Sequence, residues 1–216
     1  ITVSTTAFST QELVDGVLVN TPCADVSNIT SVTGTNYNSV NGIGYFTNTN
    51  PAFPMTDGII LSTGNVMTAP GPHNGPQSTG TTTWLADPQL TNYMNAYLNQ
   101  PTQGYHNATI LEFDFVPYTN EISFNFIFAS YEYGTYQCDF SDASAFFLTN
   151  TANNVTTNLA VIPNTTIPIS VVTIRNQAHN SSCPSVNPEY FGSYNVGNPT
   201  SAISFNGQTV KMTAFS

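Results

Sequence analysis

Charge is what this chain lacks most. Only 6% of its 216 residues are Asp, Glu, Lys or Arg, and its two basic residues are Arg175 and Lys211. Two cations cannot track a phosphate backbone or hold a protein on anionic lipid, so nucleic-acid binding and electrostatic membrane attachment are excluded. The 12 acidic residues leave a net charge of -10, a balance suited to hard cations bound through carboxylate and carbonyl oxygens. Histidine is sparse as well. His73, His106 and His179 stand in separate polar stretches, with neither a His-Glu-x-x-His helix nor a Cys/His zinc spacing. Ser62 lies in Leu-Ser-Thr-Gly rather than a Gly-x-Ser-x-Gly elbow. The Gly/Pro-rich stretch 68–83 lacks the Lys-Ser/Thr ending of a phosphate cradle. No apolar run is long enough to span a bilayer, and Ile1 starts without a basic, apolar leader. A signal peptide, if there was one, is therefore expected to have been removed.

In place of charge the chain is rich in Thr, Asn, Ser and Tyr. Such a surface stays soluble through neutral hydrogen bonding. Thr and Tyr favour strands, whereas Asn and Gly favour turns. With 40% hydrophobic and 12% aromatic residues, a substantial core is available and disorder is excluded. This is the composition of a secreted all-β protein, and the length fits one domain over residues 1–216. Of the three cysteines, Cys138 and Cys183 sit in polar, turn-rich loops where a staple is useful. Cys23 follows a predicted helix and suits a buried free thiol. Spacing alone leaves the pairing open.

Local patterns predict two short helices. Ser9-Thr-Gln-Glu12 has the form of a capping box, and Leu13, Val14, Val17 and Leu18 then share one face. A helix is expected over about Thr10–Val19, with Gly16 as its weak point. Asp87-Pro88 reads as an N-cap followed by proline at the first helical position. That helix runs to about Leu98 and carries Leu90, Met94 and Leu98 on its inner face. Short strands and turns are expected over 24–43, and a strand between the turns at Asp57 and Gly64. Further strands are expected at 108–116, 121–129, 143–148, 157–162, 168–174 and 202–213. The stretches 68–83 and 176–201 read as loops, the first long enough to be functional or mobile. The predicted fold is mainly β, a two-sheet antiparallel β-sandwich of jelly-roll type with two short helices.

Six segments, in order, carry a family resemblance: Asp57-Gly-Ile-Ile-Leu-Ser-Thr-Gly-Asn65, Leu111-Glu-Phe-Asp-Phe-Val-Pro117, Phe124-Asn-Phe-Ile-Phe-Ala-Ser-Tyr-Glu-Tyr133, Ser141-Asp-Ala-Ser-Ala-Phe-Phe-Leu148, Cys183-Pro-Ser-Val-Asn-Pro-Glu-Tyr190 and Phe205-Asn-Gly-Gln-Thr-Val-Lys-Met-Thr-Ala214. Together they make the chain resemble the choice-of-anchor L domain over nearly its whole length. The resemblance implies a module of large secreted or surface proteins of Bacteroidetes-type bacteria. Such modules are often found within adhesins, and a separate C-terminal segment anchors the parent protein. It supplies no catalytic residues. The family commonly has Ser-Glu-Glu-Tyr where this chain has Ser130-Tyr-Glu-Tyr133, so one acid of the motif is missing here. Because the chain stops at Ser216 without an anchor, it reads as a piece of a longer surface protein.

Three candidate sites follow. The loop from Ser130 to Asp142 holds Glu132, Asp139 and Asp142 in a chain otherwise poor in charge. It is read as a Ca²⁺ site whose remaining ligands are backbone carbonyls. The competing reading has Asp142 capping a turn, Glu132 accepting from backbone amides and Asp139 solvated. Glu112 and Asp114 fall on one face of a strand, as a pair of glycosidase carboxylates would. Val116 and Pro117 stand where jelly-roll glucanases place a further Glu. The competing reading puts Phe113 and Phe115 in the core and the two acids in solvent. Last, Trp84, Tyr105, Tyr131, Tyr133, Tyr136, Tyr190, Phe191 and Tyr194 cluster in or beside loops. Aromatic faces of this kind stack on sugars, although each ring can equally pack a loop onto the domain. Tyr131, Tyr133, Tyr136, Tyr190 and Tyr194 are the expected ligand-binding set. The expected function is non-enzymatic adhesion or surface display, calcium-dependent and directed at a glycan or other surface ligand, beside the rest of a larger protein or neighbouring copies. A carbohydrate-active enzyme using Glu112 and Asp114, and a structural module of a filament or stalk, are the alternatives.

Overall fold

In the computed structural model of the protein, residues 1–19, 24–34, 41–81, 83–98 and 104–216 are described. Cys23 and residues 35–40 of the 24–43 stretch lie outside them. β1 (Thr2–Ser4) precedes the first helix; β2 (Ala24–Val32), β3 (Ile43–Thr47) and β4 (Asp57–Leu61) follow it. After the second helix come β5 (Ile110–Pro117), β6 (Ser123–Phe126) and β7 (Ala129–Ser130). The remaining strands are β8 (Ala143–Ser144), β9 (Phe147–Asn150), β10 (Val155–Asn158), β11 (Ile169–Ser170), β12 (Phe191–Tyr194), β13 (Gly207–Thr209) and β14 (Met212–Phe215).

The strands are joined in small antiparallel sheets: β1-β3-β4, β2-β5, β6-β14, β8-β11, β9-β10 and β12-β13-β7. The chain is mainly β with two short helices, as its composition predicts. The two continuous sheets of a sandwich are not observed, because strands change partner within a few residues. The segment predicted as one strand over 143–148 is two: Ala143–Ser144 pairs with β11, and Phe147–Asn150 pairs with β10. Between them the Phe146 amide donates to the Asn158 side chain (3.0 Å). The final strand is likewise split into β13 and β14, with the Val210 amide turned to the Tyr190 carbonyl (2.9 Å). β12 lies inside the stretch predicted as loop. The longest ladder joins β2 to β5, with a bulge between Ser27 and Thr30 where Asn28 adopts φ +52°.

The first helix begins on the predicted capping box. Ser9 Oγ accepts the Glu12 amide (3.3 Å), and the Glu12 carboxylate accepts the Ser9 amide (2.8 Å). From Leu13 to Leu18 the helix widens into a π-helical turn, with Leu13 and Val14 buried beneath it. α2 (Pro88–Leu98) is capped by Asp87, whose carboxylate accepts the Leu90 amide (2.6 Å). Met94 is fully buried on its inner face, with Leu90 and Leu98 half-buried.

Two apolar clusters form the core. The larger joins Phe126, Phe128, Tyr133, Ile162, Ile169, Val171, Ile174 and Met212; the smaller joins Val3, Phe46, Phe53, Val66 and Ile203. The loop that starts at Thr68 is tied down over its first half. Gly71 donates to the Ala202 carbonyl (3.0 Å), the Ser204 amide to Ala69 (2.8 Å), and the His73 amide to Ser201 Oγ (2.9 Å). Replacing the Asp87 cap by alanine is expected to lower stability by about 1 kcal/mol, read as a drop in denaturation midpoint at unchanged m-value.

Candidate functional site

β13 lies between β7 and β12, with Gly207 paired to both Ser130 and Tyr194. The acidic loop therefore leaves β7 beside the end of β12. Asn206 holds its first residues by donating to the carbonyls of Tyr131 (2.6 Å) and Tyr133 (3.0 Å). Gly134 must be glycine: its φ is +80°, and a β-carbon there would lie 2.2 Å from the Tyr194 hydroxyl.

The 175–187 segment packs against this loop and is bonded to it. Gln137 donates to the Asn176 carbonyl (3.0 Å), Asn180 to Gly134 (2.9 Å), and the Arg175 guanidinium to Gln137 (3.1 Å) and Pro184 (3.1 Å). Cys138 and Cys183 form a disulfide with Cα atoms 5.6 Å apart, across 45 residues of sequence. Closing a loop of that length removes about 4 kcal/mol of conformational freedom from the unfolded chain. The Cys138→Ser/Cys183→Ser variant is accordingly expected to lose about 2–4 kcal/mol in denaturant unfolding.

Of the three acids, the structure brings Glu132 and Asp142 together and leaves Asp139 apart. Among the described residues no three His, Cys, Asp or Glu side chains converge as metal ligands would. Asp139 is exposed at the loop's outer side. The Glu132 carboxylate accepts the Asp142 amide. Asp142 in turn accepts from Ser130 Oγ (2.7 Å), which itself accepts the Glu132 amide (2.9 Å). Both carboxyls are pushed well above the ordinary carboxylate range. For Glu132 the causes are burial and then the charge of Asp142, opposed by the Asp142 amide; for Asp142 the cause is burial, opposed by the Ser130 hydroxyl. No cationic side chain relieves them: Arg175 is bonded to carbonyls, and Lys211 is exposed beyond β13.

The Tyr133 hydroxyl, on a residue with no exposed surface, has no hydrogen-bond partner among the described residues. Burial raises the Tyr105 pKa to about 12, opposed by a hydrogen bond with Ser141 and reinforced by the charges of Glu132 and Asp142; burial and then the same two charges raise that of Tyr133. Tyr133 is thus a core residue and not a ligand-facing ring, its aromatic face set edge-on to Phe191 at 4.9 Å. Trp84 corrects the exposed-aromatic reading in the same way: it is 2% exposed and donates its indole N–H to the Ala108 carbonyl (2.8 Å).

The other expected rings divide. Tyr131 packs 4.8 Å from Phe205 and donates to Ser204 Oγ (2.9 Å), a loop-fastening role. Tyr190 and Tyr194 are half-buried, and His179 stacks on Tyr194 at 4.1 Å. Tyr136 is 43% exposed and stands edge-on to Phe140, itself 58% exposed, at 6.0 Å. Phe140 and His179 were not singled out from the sequence. An apolar Phe inside an acidic loop was a readable signal; nothing marked His179. Glu112 and Asp114 both lie on the exposed side of β5, and Asp114 accepts from the Asn28 amide group (2.7 Å). Neither lines the polar clefts of about 110 and 150 Å³ near the N-terminal strand.

A sequence model of the choice-of-anchor L domain matches residues 2–216. The chain belongs to the choice-of-anchor L family. No curated protein and no solved structure matches it. Choice-of-anchor L membership makes this a surface-associated or secreted module of a family that is not an enzyme family. No described helix is long and apolar enough to cross a membrane. Within this choice-of-anchor L domain the acid pair makes stability fall with pH. A carboxyl whose folded-state pKa is raised binds more protons folded than unfolded. The stability this confers is full below the unfolded value and lost as pH rises through the folded value, about 7 for Glu132. In chelator, thermal melts from acidic to neutral pH should show a loss of order 1–3 kcal/mol that Glu132→Gln largely removes.

Proposed function

We propose that the domain is a non-enzymatic adhesion and surface-display module of a larger bacterial surface protein, and that it binds glycan through the tip of the braced loop. The observation that supports this is the exposed Tyr136–Phe140 pair on a segment fixed by the Cys138–Cys183 disulfide and the Asn180 and Gln137 bonds. Aromatic rings held rigid in solvent present stacking area to a sugar face with little ordering cost on binding. Tyr194 with its stacked His179, and Tyr190, supply further ring surface near the same loops. Asn, Ser and Thr neighbours supply neutral hydrogen bonds, which suits an uncharged polysaccharide better than a sulfated one in a chain of charge -10.

Binding to an array of immobilised neutral glycans tests this reading. The wild-type domain is expected to bind, and Tyr136→Ala/Phe140→Ala to lose about tenfold in affinity, the effect of about 1.4 kcal/mol of lost stacking, with an unchanged melting temperature. Glu112→Gln should leave binding intact and reveal no turnover. Equal binding by the double variant would remove the aromatic tip from consideration.

A further inference from the structure

Asparagine stands directly before glycine at Asn41-Gly42, Asn74-Gly75 and Asn206-Gly207. At such a step no side chain bars the glycine nitrogen from the asparagine amide carbon, so the pair is chemically disposed to cyclise. Whether it does depends on what holds the nitrogen and the amide. At two of the three steps the fold holds both. The Gly42 amide donates to Thr33 Oγ1 (2.6 Å), and Asn41 Oδ1 accepts from the Ile43 amide (2.8 Å). A β-carbon at Gly42 would lie 2.2 Å from Thr109 Oγ1, so the backbone there is closely walled. Asn206 is 2% exposed, its side-chain nitrogen donates to the carbonyls of Tyr131 and Tyr133, and Gly207 lies in the central strand of its sheet.

Asn74-Gly75 differs on each count. It follows His73, whose amide is the last that the 68–83 loop gives to the Ser201 side, and Asn74 is exposed. Gly75 adopts φ +104°, and a β-carbon on it would meet nothing within 4 Å. Among the described residues the Gly75 N–H and Asn74 Nδ2 have no hydrogen-bond partner. Asn74 Oδ1, by contrast, accepts from both Gln77 Nε2 (3.3 Å) and Ser204 Oγ (3.3 Å). Two donors on this oxygen draw electrons from Cγ and stabilise the charge the oxygen gains when a nucleophile adds.

We propose that Asn74 is a self-modification site, where the Gly75 nitrogen converts the side-chain amide to a succinimide and thence to aspartate and isoaspartate. The Gly75 nitrogen loses its proton to base and bonds to Asn74 Cγ; the bond from Cγ to Nδ2 breaks, and ammonia leaves with the proton it needs. Water then opens the ring. Cleavage at the side-chain carbonyl gives aspartate, and cleavage at the main-chain carbonyl gives isoaspartate. Nothing is oxidised or reduced, and water is the one co-reactant. Either product adds a negative charge to a chain with two cations. In the aspartate product the bonds from Gln77 and Ser204 become charge-assisted and strengthen. In the isoaspartate product an extra carbon enters the backbone beside the His73–Ser201 tie. None of this depends on the glycan-binding reading.

The test incubates the folded domain in warm, mildly alkaline buffer and follows each Asn-Gly step by peptide mapping and mass spectrometry. Isoaspartate is read separately by enzymatic methylation. Asn74 is expected to convert, at a rate that rises in proportion to hydroxide concentration, while Asn41 and Asn206 stay intact. In the reduced, denatured chain all three should convert at similar rates, because nothing then holds Asn41 or Asn206. Gly75→Ala is expected to slow conversion at Asn74 by roughly tenfold, and Gln77→Ala, which removes one donor, to slow it several-fold. A thermal melt of each variant separates slower chemistry from a changed fold. An intact Asn74 in the folded domain after the denatured chain has converted would overturn the proposal. So would conversion of Asn41 or Asn206 in the folded domain as fast as that of Asn74.

Discussion

With two cations in 216 residues, this fold cannot be held by ion pairs, and neutral side chains bonded to the main chain take their place. Asn48 alone donates to the carbonyls of Asn50, Phe53 and Met55, and so closes the turn after β3. Asn206 fixes the start of the acidic loop, Asn158 joins β9 to β10 at their partner switch, and Asn187 reaches the Thr173 carbonyl (2.8 Å). Each such bond is worth about 0.5–1.5 kcal/mol net, and none weakens with salt as a surface ion pair does. Short side chains lose little rotamer freedom when fixed, so many of them can be used. The consequence is a structure in which turns are as strongly specified as strands.

That constraint explains why the sheets stay small. A short polar side chain can satisfy a backbone group locally, and wherever it does so it competes with the ladder. The Phe146 amide is taken by Asn158, and the Phe128 amide by Thr209 Oγ (3.0 Å). β-rich composition therefore yields many ladders of two to seven pairs rather than two long sheets. The core continues across the interruptions, because Phe126 and Met212 of one ladder, Ile169 of another and Phe128 between strands pack together.

The same logic separates what could be read in the sequence from what could not. Ser9 and Glu12, Asp87 and Pro88, and the alternation along Ile110–Pro117 were legible because each signal is local: the residues that make it are also its partners. Partner switching within 143–150, the strand hidden at Phe191–Tyr194 and the burial of Tyr133 were not legible, because distant residues decide them. Tyr131 and Tyr133 stand two residues apart in one sequence motif, yet one fastens a loop and the other fills the core. For the acidic loop, composition drew attention to three carboxylates. Only the placement of Ser130 and of the Asp142 amide shows that Glu132 and Asp142 belong together. Tyr105 stood out from the sequence as one of the loop aromatics, but its burial did not.

A protein that satisfies its polar groups so thoroughly with neutral bonds has little reason to bury two uncompensated acids. Either carboxylate could be replaced by the amides the chain uses everywhere else, and the hydrogen bonds to Asp142 N and from Ser130 would survive in kind. Keeping both acids costs stability as pH rises toward neutrality, because each holds its proton more tightly folded than unfolded. The pair sits at the base of the loop whose far end carries the exposed rings, and the disulfide closes the same loop against its neighbour. With Arg175 bonded to carbonyls and Lys211 exposed beyond β13, protonation is the means of neutralising the pair that the chain's own residues supply.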